Sequence, residues 1–139
     1  MSTGIVLQDN VVSEFNSVKL THKYKYIIYR ITEDLKEVAV EKMAGKDRKY
    51  DDFIADLPKD EARYAVYDLE YDTKDGKRTK LVFILWTPDN CNIKSKMLYS
   101  ATKATMKNAL VGISAEIQAT DAQEISMEAI MEKVLSVSK

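Results

Sequence analysis

Cysteine is almost missing from this chain. Cys91 stands alone, so no internal disulfide can form, and that usage fits a reducing compartment. Histidine is equally scarce. His22 is the single imidazole and sits beside Lys23 and Lys25, which excludes a histidine-rich metal centre and multi-histidine acid–base machinery. The four glycines are scattered and make neither a phosphate-cradling loop nor a dinucleotide fingerprint. The acidic pair Asp51 and Asp52 lacks any companion that suggests a hydrolase and reads as a solvated helix start. An enzyme is therefore not expected, and no cofactor or metal is implied. A charge excess is missing too, since 21 Lys and Arg face 22 Asp and Glu for a net charge of −1. That balance argues against a nucleic-acid-coating protein, so any basic patch must be local. No apolar run approaches the roughly 20 residues needed to cross a bilayer. The opening MSTGIVLQDN also lacks a charged n-region and a long apolar core, so a cytoplasmic location is expected.

What is present describes a folded protein. At 139 residues, 45% hydrophobic and 31% charged, the composition suits one globular domain spanning 1–139. Residues 1–4 are expected to form a mobile polar tip. From Asp9, a plausible cap, Val11, Val12, Phe15 and Val18 recur at helical spacing until about Leu20. Tyr24 to Ile31 is β-branched and aromatic on both alternating faces, as in an inner strand covered on both sides. Glu33 and Asp34 turn the chain into a second strand from Leu35 to Lys42, giving a hairpin. Tyr50 to Leu57 makes a short helix with Pro58 past its end. Arg63 to Tyr71 reads as a third strand, Asp75-Gly76 as a turn and Leu81 to Trp86 as a central fourth strand. A fifth strand is expected at Ser114 to Gln118, and Ser126 caps a last helix carrying Met127, Ile130, Met131, Val134 and Leu135. The sum is an α/β domain: a five-stranded mixed, mainly antiparallel sheet with helices packed on both faces. The strand aromatics are expected in the core, because no basic excess accompanies them as it would on a base-stacking platform.

The chain is organised around Trp86 to Lys107, where a strand exits at Pro88 and a long helix begins. On a helix of 3.6 residues per turn, Ile93, Met97, Leu98, Ala101, Ala104 and Ala109 share one arc, expected to be buried. Lys96, Ser100, Lys103 and Lys107 fall opposite. Lys94 and Lys96 lie in the opening turns, where the helix dipole disfavours cations by roughly 0.3–1 kcal/mol. Two readings stay open on periodicity alone: a solvated helix face, or a face kept for a partner.

Several ordered stretches together resemble the actin-depolymerising factor/cofilin family. They are the tip before Gly4-Ile5, Leu20 to Ile31, Tyr50 to Pro58, Ala62 to Tyr71, Gly76-Lys77-Arg78-Thr79-Lys80, Trp86-Thr87-Pro88, Lys94 to Tyr99, and Ala115 to Ser126. The resemblance implies the ADF-homology fold and a non-catalytic actin binder of cytoplasm and cytoskeleton, a monomer that severs and depolymerises filaments and prefers ADP-bound subunits. It assigns Ser2, Thr3, Gly4, Lys94, Lys96 and Met97 to a site shared by monomeric and filamentous actin. Lys77, Arg78 and Lys80, helped by Glu132 and Lys133, match the filament-specific contact. Actin is acidic, so clustered cations around Met97 supply steering and an apolar anchor.

Regulation follows from the same resemblance. Ser2 and Thr3 are the phosphorylation candidates, where a phosphate would add about −1.5 to −2 charge close to Lys94 and Lys96. Lys94, Lys96, Lys103 and Lys107 are candidates for phosphoinositide headgroups, with no membrane insertion implied. The chain departs from the family at Ala104, Asn108 and Ser136, which puts severing strength in question. A basic nuclear-import run is absent before Asp9 and after Val40. A coactosin-like side-binder without severing activity, and a small scaffold or ligand-binding domain unrelated to actin, are the competing readings.

Overall fold

The computed structural model describes residues 4–137. Ten elements follow in the order β1 (Val6–Leu7), α1 (Asp9–Thr21), β2 (Tyr24–Ile31), β3 (Glu37–Gly45), α2 (Tyr50–Asp56), β4 (Arg63–Thr73), β5 (Gly76–Trp86), α3 (Ile93–Ala109), β6 (Ala115–Ala119) and α4 (Met127–Val137). The strands make one mixed sheet in the order β1-β3-β2-β4-β5-β6. The expected α/β class and helix placement hold, but the sheet has six strands rather than five. The missed strand is β1, two residues that run parallel to β3 at Val6↔Glu37 and Leu7↔Val38. A pair of residues carries no alternation, so periodicity has nothing to detect.

Both faces of the sheet are covered. Val11, Phe15 and Val18 of α1 and Tyr99 and Met106 of α3 pack with Ile27, Tyr29, Tyr64, Val66, Phe83 and Leu85. On the other face Tyr50 and Phe53 of α2 and Ile130 and Val134 of α4 pack with Tyr26, Ile28, Tyr67, Val82 and Ile84. Consecutive residues of β2 thus enter opposite cores, as expected for a doubly covered inner strand. The strand aromatics are core: Tyr26, Tyr29 and Tyr64 are fully buried. Tyr50, Phe53 and Tyr67 meet at centroid distances of 5.0–5.4 Å, contacts worth about 0.5–1.5 kcal/mol each beyond their burial.

Two polar clusters hold elements at set angles. The Tyr26 hydroxyl donates to the Asp56 carboxylate, which also takes Lys42 at 2.8 Å, so α2 is tied to β2 and β3. Burial pushes the Asp56 carboxyl up, but the Lys42 and Tyr26 hydrogen bonds outweigh it and leave the group below its ordinary range. The β2–β3 register slips between Ile28 and Tyr29, and this frees Glu41 from the ladder. Glu41 then reaches the buried Arg63 of β4 at 2.8 Å (Nε–Oε1) and 3.2 Å (Nη2–Oε2).

The β4–β5 hairpin is the longest pairing, from Arg63↔Trp86 to Thr73↔Gly76. Gly76 has φ +117 in the turn, a backbone state that glycine reaches without steric cost. Beyond Leu69 and Leu81 the hairpin projects with exposed residues. β5 and β6 are parallel, joined through α3.

Candidate functional site

α3 starts where Asn92 Oδ1 accepts the backbone N–H groups of Lys94 (2.7 Å) and Ser95 (3.4 Å). This cap fixes the first turn, and no acidic residue lies in it. The helix is rotated by two tyrosines: Ile31 N–H donates to Tyr99 Oη at 2.8 Å, and Tyr64 Oη donates to the Tyr99 carbonyl at 2.5 Å. Its buried residues are Tyr99, Thr102 and Met106. The expected buried arc is therefore wrong. Ile93 is 75% exposed and Met97 67%, and Ala101 and Ala104 are also exposed. Leu98 is only partly buried and Ala109 half-buried. The helix carries apolar residues on two sides, and the sheet takes the side whose tyrosine has bonds waiting for its hydroxyl and carbonyl. The alanine-rich stripe is left outside.

The result is an exposed apolar strip, Ile93 and Met97 one turn apart, flanked by exposed Lys94 and half-buried Lys96. Gly4 lies at the same end of the molecule. β1 enters beside Lys36, with Val6 N–H on its carbonyl at 3.1 Å. The adjoining β2–β3 turn shares a cavity of about 210 Å³ with Asn92, Ser95, Leu98 and Tyr99. Ser2 and Thr3 fall outside the described residues.

At the opposite end, Arg78 and Lys80 of β5 line a cavity of about 270 Å³ with Tyr71, Thr73 and Leu135 of α4. Leu135 is 51% exposed. Glu132 and Lys133 are exposed on the same helix and line a neighbouring hollow with Ala129 and Ser136. Helical spacing groups Leu135 with Ile130 and Val134; the structure buries those two and leaves Leu135 as the apolar residue between the two charged groups. Lys77 is not part of that cluster. It pairs with Asp72 at 3.2 Å and Glu70 at 3.5 Å across the hairpin. The hydrogen bond to Asp72, then the two carboxylate charges, raises its ammonium above the ordinary lysine range.

Lys103 and Lys107 share one carboxylate, Glu116 of β6, each at 3.2 Å. Burial pushes the Glu116 carboxyl up, yet the hydrogen bonds from Lys103 and Lys107 prevail and hold it below its usual range. These two lysines are thus already engaged, whereas Lys94 and Lys96 make no ion pair among the described residues.

His22, the single imidazole, is half-buried. It ends α1 in the left-handed region (φ 53), and its Nδ1 lies 2.8 Å from Asp68 Oδ2. Asp68 is only 6% exposed, and its Oδ1 has no hydrogen-bond partner among the described residues. No sequence signal links positions 46 residues apart; the β4 register makes the pair.

No candidate set here assembles a nucleophile with a base, and no group of three or more metal-ligating side chains occurs among the described residues. Two charged surfaces with an apolar residue at the centre of each define a protein-binding domain. A sequence model of the cofilin/tropomyosin-type actin-binding proteins matches residues 4–135. The chain is 58% identical over 136 residues to actophorin of Entamoeba histolytica, covering 98% of this chain and 99% of that one. It is 44% identical to actophorin of Acanthamoeba castellanii, covering 94% and 95%. The crystal structure of Streptomyces griseoflavus cofilin superposes with a TM-score of 0.90 at 44% identity, covering 96% and 99%. The chain belongs to the actin-depolymerising factor/cofilin family, whose members bind actin and are not enzymes.

Proposed function

We propose that this protein, beyond binding actin, severs and depolymerises filaments and so controls actin turnover in the cytoplasm and cytoskeleton. The observation that carries the reading is the exposed strip of Ile93 and Met97 between Lys94 and Lys96. A helix gains nothing in folding from leaving two large apolar side chains in water and two cations in its opening turns. Both become favourable when the strip enters an apolar cleft with an acidic rim. This end, with Gly4 and the tip residues Ser2 and Thr3, would serve monomeric and filamentous actin alike.

The second end supports a filament-specific contact. Arg78 and Lys80 flank Leu135, with Glu132 and Lys133 beside them, so the anchor-and-cation arrangement recurs about a new helix. Lys77 contributes less, because its charge is met by Asp72 and Glu70. One monomer that holds two subunits by opposite ends can alter filament twist, and severing follows as strain is released where decorated and bare filament meet.

Phosphate on Ser2 or Thr3 would repel an acidic partner from the same strip. Phosphoinositide headgroups would compete for Lys94 and Lys96 first, since Lys103 and Lys107 must leave Glu116 to take part. Time-lapse microscopy of labelled filaments tests the main reading: filament lifetime should shorten with added protein. Unchanged lifetimes at saturating decoration would leave a coactosin-like side-binder. Replacing Lys94 and Lys96 together by alanine should abolish binding to both actin forms, and surviving monomer affinity would refute the shared site.

A further inference from the structure

The sheet brings together a basic face that none of the sites above uses. Segments 22–25 and 45–49 lie far apart in sequence, but the β2–β3 register sets Tyr24 against Gly45, so the end of β3 and the loop after it lie beside the start of β2. Residues 23–25 and 45–49 carry five cations, Lys23, Lys25, Lys46, Arg48 and Lys49, and one carboxylate, Asp47. None of the five makes an ion pair among the described residues. The register also slips between Tyr24 and Tyr26, which takes Lys25 out of the ladder. Its ammonium then lies 5.4 Å from the centre of the Tyr67 ring, and that of Lys23 lies 5.2 Å from the Tyr24 ring. Such contacts hold two of the long side chains against the surface, so less of their freedom is lost on binding. Lys46, Arg48 and Lys49 are exposed.

The patch borders the β4–β5 hairpin. Lys25 and Lys46 line a cavity of about 350 Å³ together with Glu70 and Thr79 of that hairpin, and with His22, Tyr24 and Asp68. We infer that Lys23, Lys25, Lys46, Arg48 and Lys49 form a second electrostatic docking face for an acidic protein surface, that of the filament subunit met by Arg78 and Lys80. This rests on the filament-contact reading above and widens that contact along the end of the sheet.

The layout favours a protein face over a phosphate group. A phosphate site needs donors that converge, and the cavity that Lys25 and Lys46 share is walled by Asp68 and Glu70, which repel an anion. Cations splayed across a broad end with Asp47 among them suit instead a wide acidic surface, where they speed encounter and set orientation.

The test neutralises the three exposed members that follow β3, Lys46→Ser, Arg48→Ser and Lys49→Ser, in the full chain. The fold should be retained, because none of the three side chains makes an ion pair among the described residues and a serine at position 49, the residue before α2, is a favoured helix cap. Exposed charge pairs contribute roughly 0.2–1 kcal/mol each, so losing three should lower filament affinity in low-salt co-sedimentation by about threefold to 150-fold. The difference should fade as salt shortens the screening length from about 10 Å at 0.1 M to about 3 Å at 1 M. Affinity for monomeric actin should not change. Arg78→Ala with Lys80→Ala runs in parallel. Filament binding that drops in the hairpin variant but not in the triple variant would overturn the inference and leave the filament-contact reading standing. Loss in neither variant would remove both. Equal loss for monomer and filament, or loss only of binding to vesicles containing anionic lipid, would also overturn it.

Discussion

The sharpest consequence of the rotated helix concerns Ile93 and Met97, expected inside from their spacing and found outside. Fully burying an Ile or Met side chain is worth about 1.5–3 kcal/mol. With 75% and 67% of each residue still exposed, about 1–2 kcal/mol per side chain is available to a partner. Replacing both with alanine should therefore weaken binding to monomeric actin by about 2–4 kcal/mol, roughly 30-fold to 1000-fold. The sum is an upper bound, because residues one turn apart share neighbours. Stability should stay within about 0.5 kcal/mol, since neither side chain packs in the core. Met106→Ala, from the fully buried side of the same helix, provides the contrast. It should cost about 2–5 kcal/mol of stability while the folded fraction binds actin normally. Urea unfolding and a monomer-binding titration on all three proteins read both quantities. If the Ile93/Met97 variant binds like the parent, the strip is not the contact.

Arg78→Ala with Lys80→Ala should weaken filament co-sedimentation and spare monomer binding, whereas Lys77→Ala alone should change little, because Asp72 and Glu70 already meet its charge; an equal effect of Lys77 would contradict that division. Glu116→Gln should raise affinity for phosphoinositide vesicles by releasing Lys103 and Lys107, each worth about 1 kcal/mol near an anionic surface; flotation assays measure it. The same substitution has a pH signature. The folded Glu116 carboxyl lies below its unfolded value, so its stabilising contribution is present above the ordinary glutamate range, about 4.3, and is lost as pH falls through the folded value. For this partly exposed pair the difference between parent and variant should be about 0.5–1 kcal/mol at neutral pH and should vanish in acid, once pH has dropped below the folded value. His22→Ala should lower the urea midpoint by about 1–3 kcal/mol in stability, because it leaves the buried Asp68 carboxylate without its imidazole partner; an unchanged midpoint would mean water replaces the imidazole without penalty.

Much of the architecture was legible because it is local. The alternation in Tyr24 to Ile31, the apolar run of Leu81 to Trp86, the Asp75-Gly76 turn and the Ser126 cap each depend on neighbours within a few residues. The cap is there as expected, with Ala129 N–H on Ser126 Oγ at 3.2 Å. Lys94, Lys96, Arg78 and Lys80 were legible as candidates through the family resemblance, and the chain does belong to that family. The two-residue β1 was not, since pairing with β3 alone makes it a strand.

By itself, then, the sequence determined which segments become helices and strands and which cations stand at the helix start and the hairpin. Tertiary structure alone decided which side of α3 meets the sheet. Ile93, Met97, Ala101 and Ala104 make as good an apolar stripe as Tyr99, Thr102 and Met106, and local pattern gives each a fair claim on the core. The choice falls to Tyr99 because the Ile31 N–H and the Tyr64 hydroxyl, far away in sequence, bond its hydroxyl and its carbonyl. Once those bonds turn the helix, Ile93 and Met97 must face water, and the same residues that periodicity would bury become the surface proposed above as the actin contact.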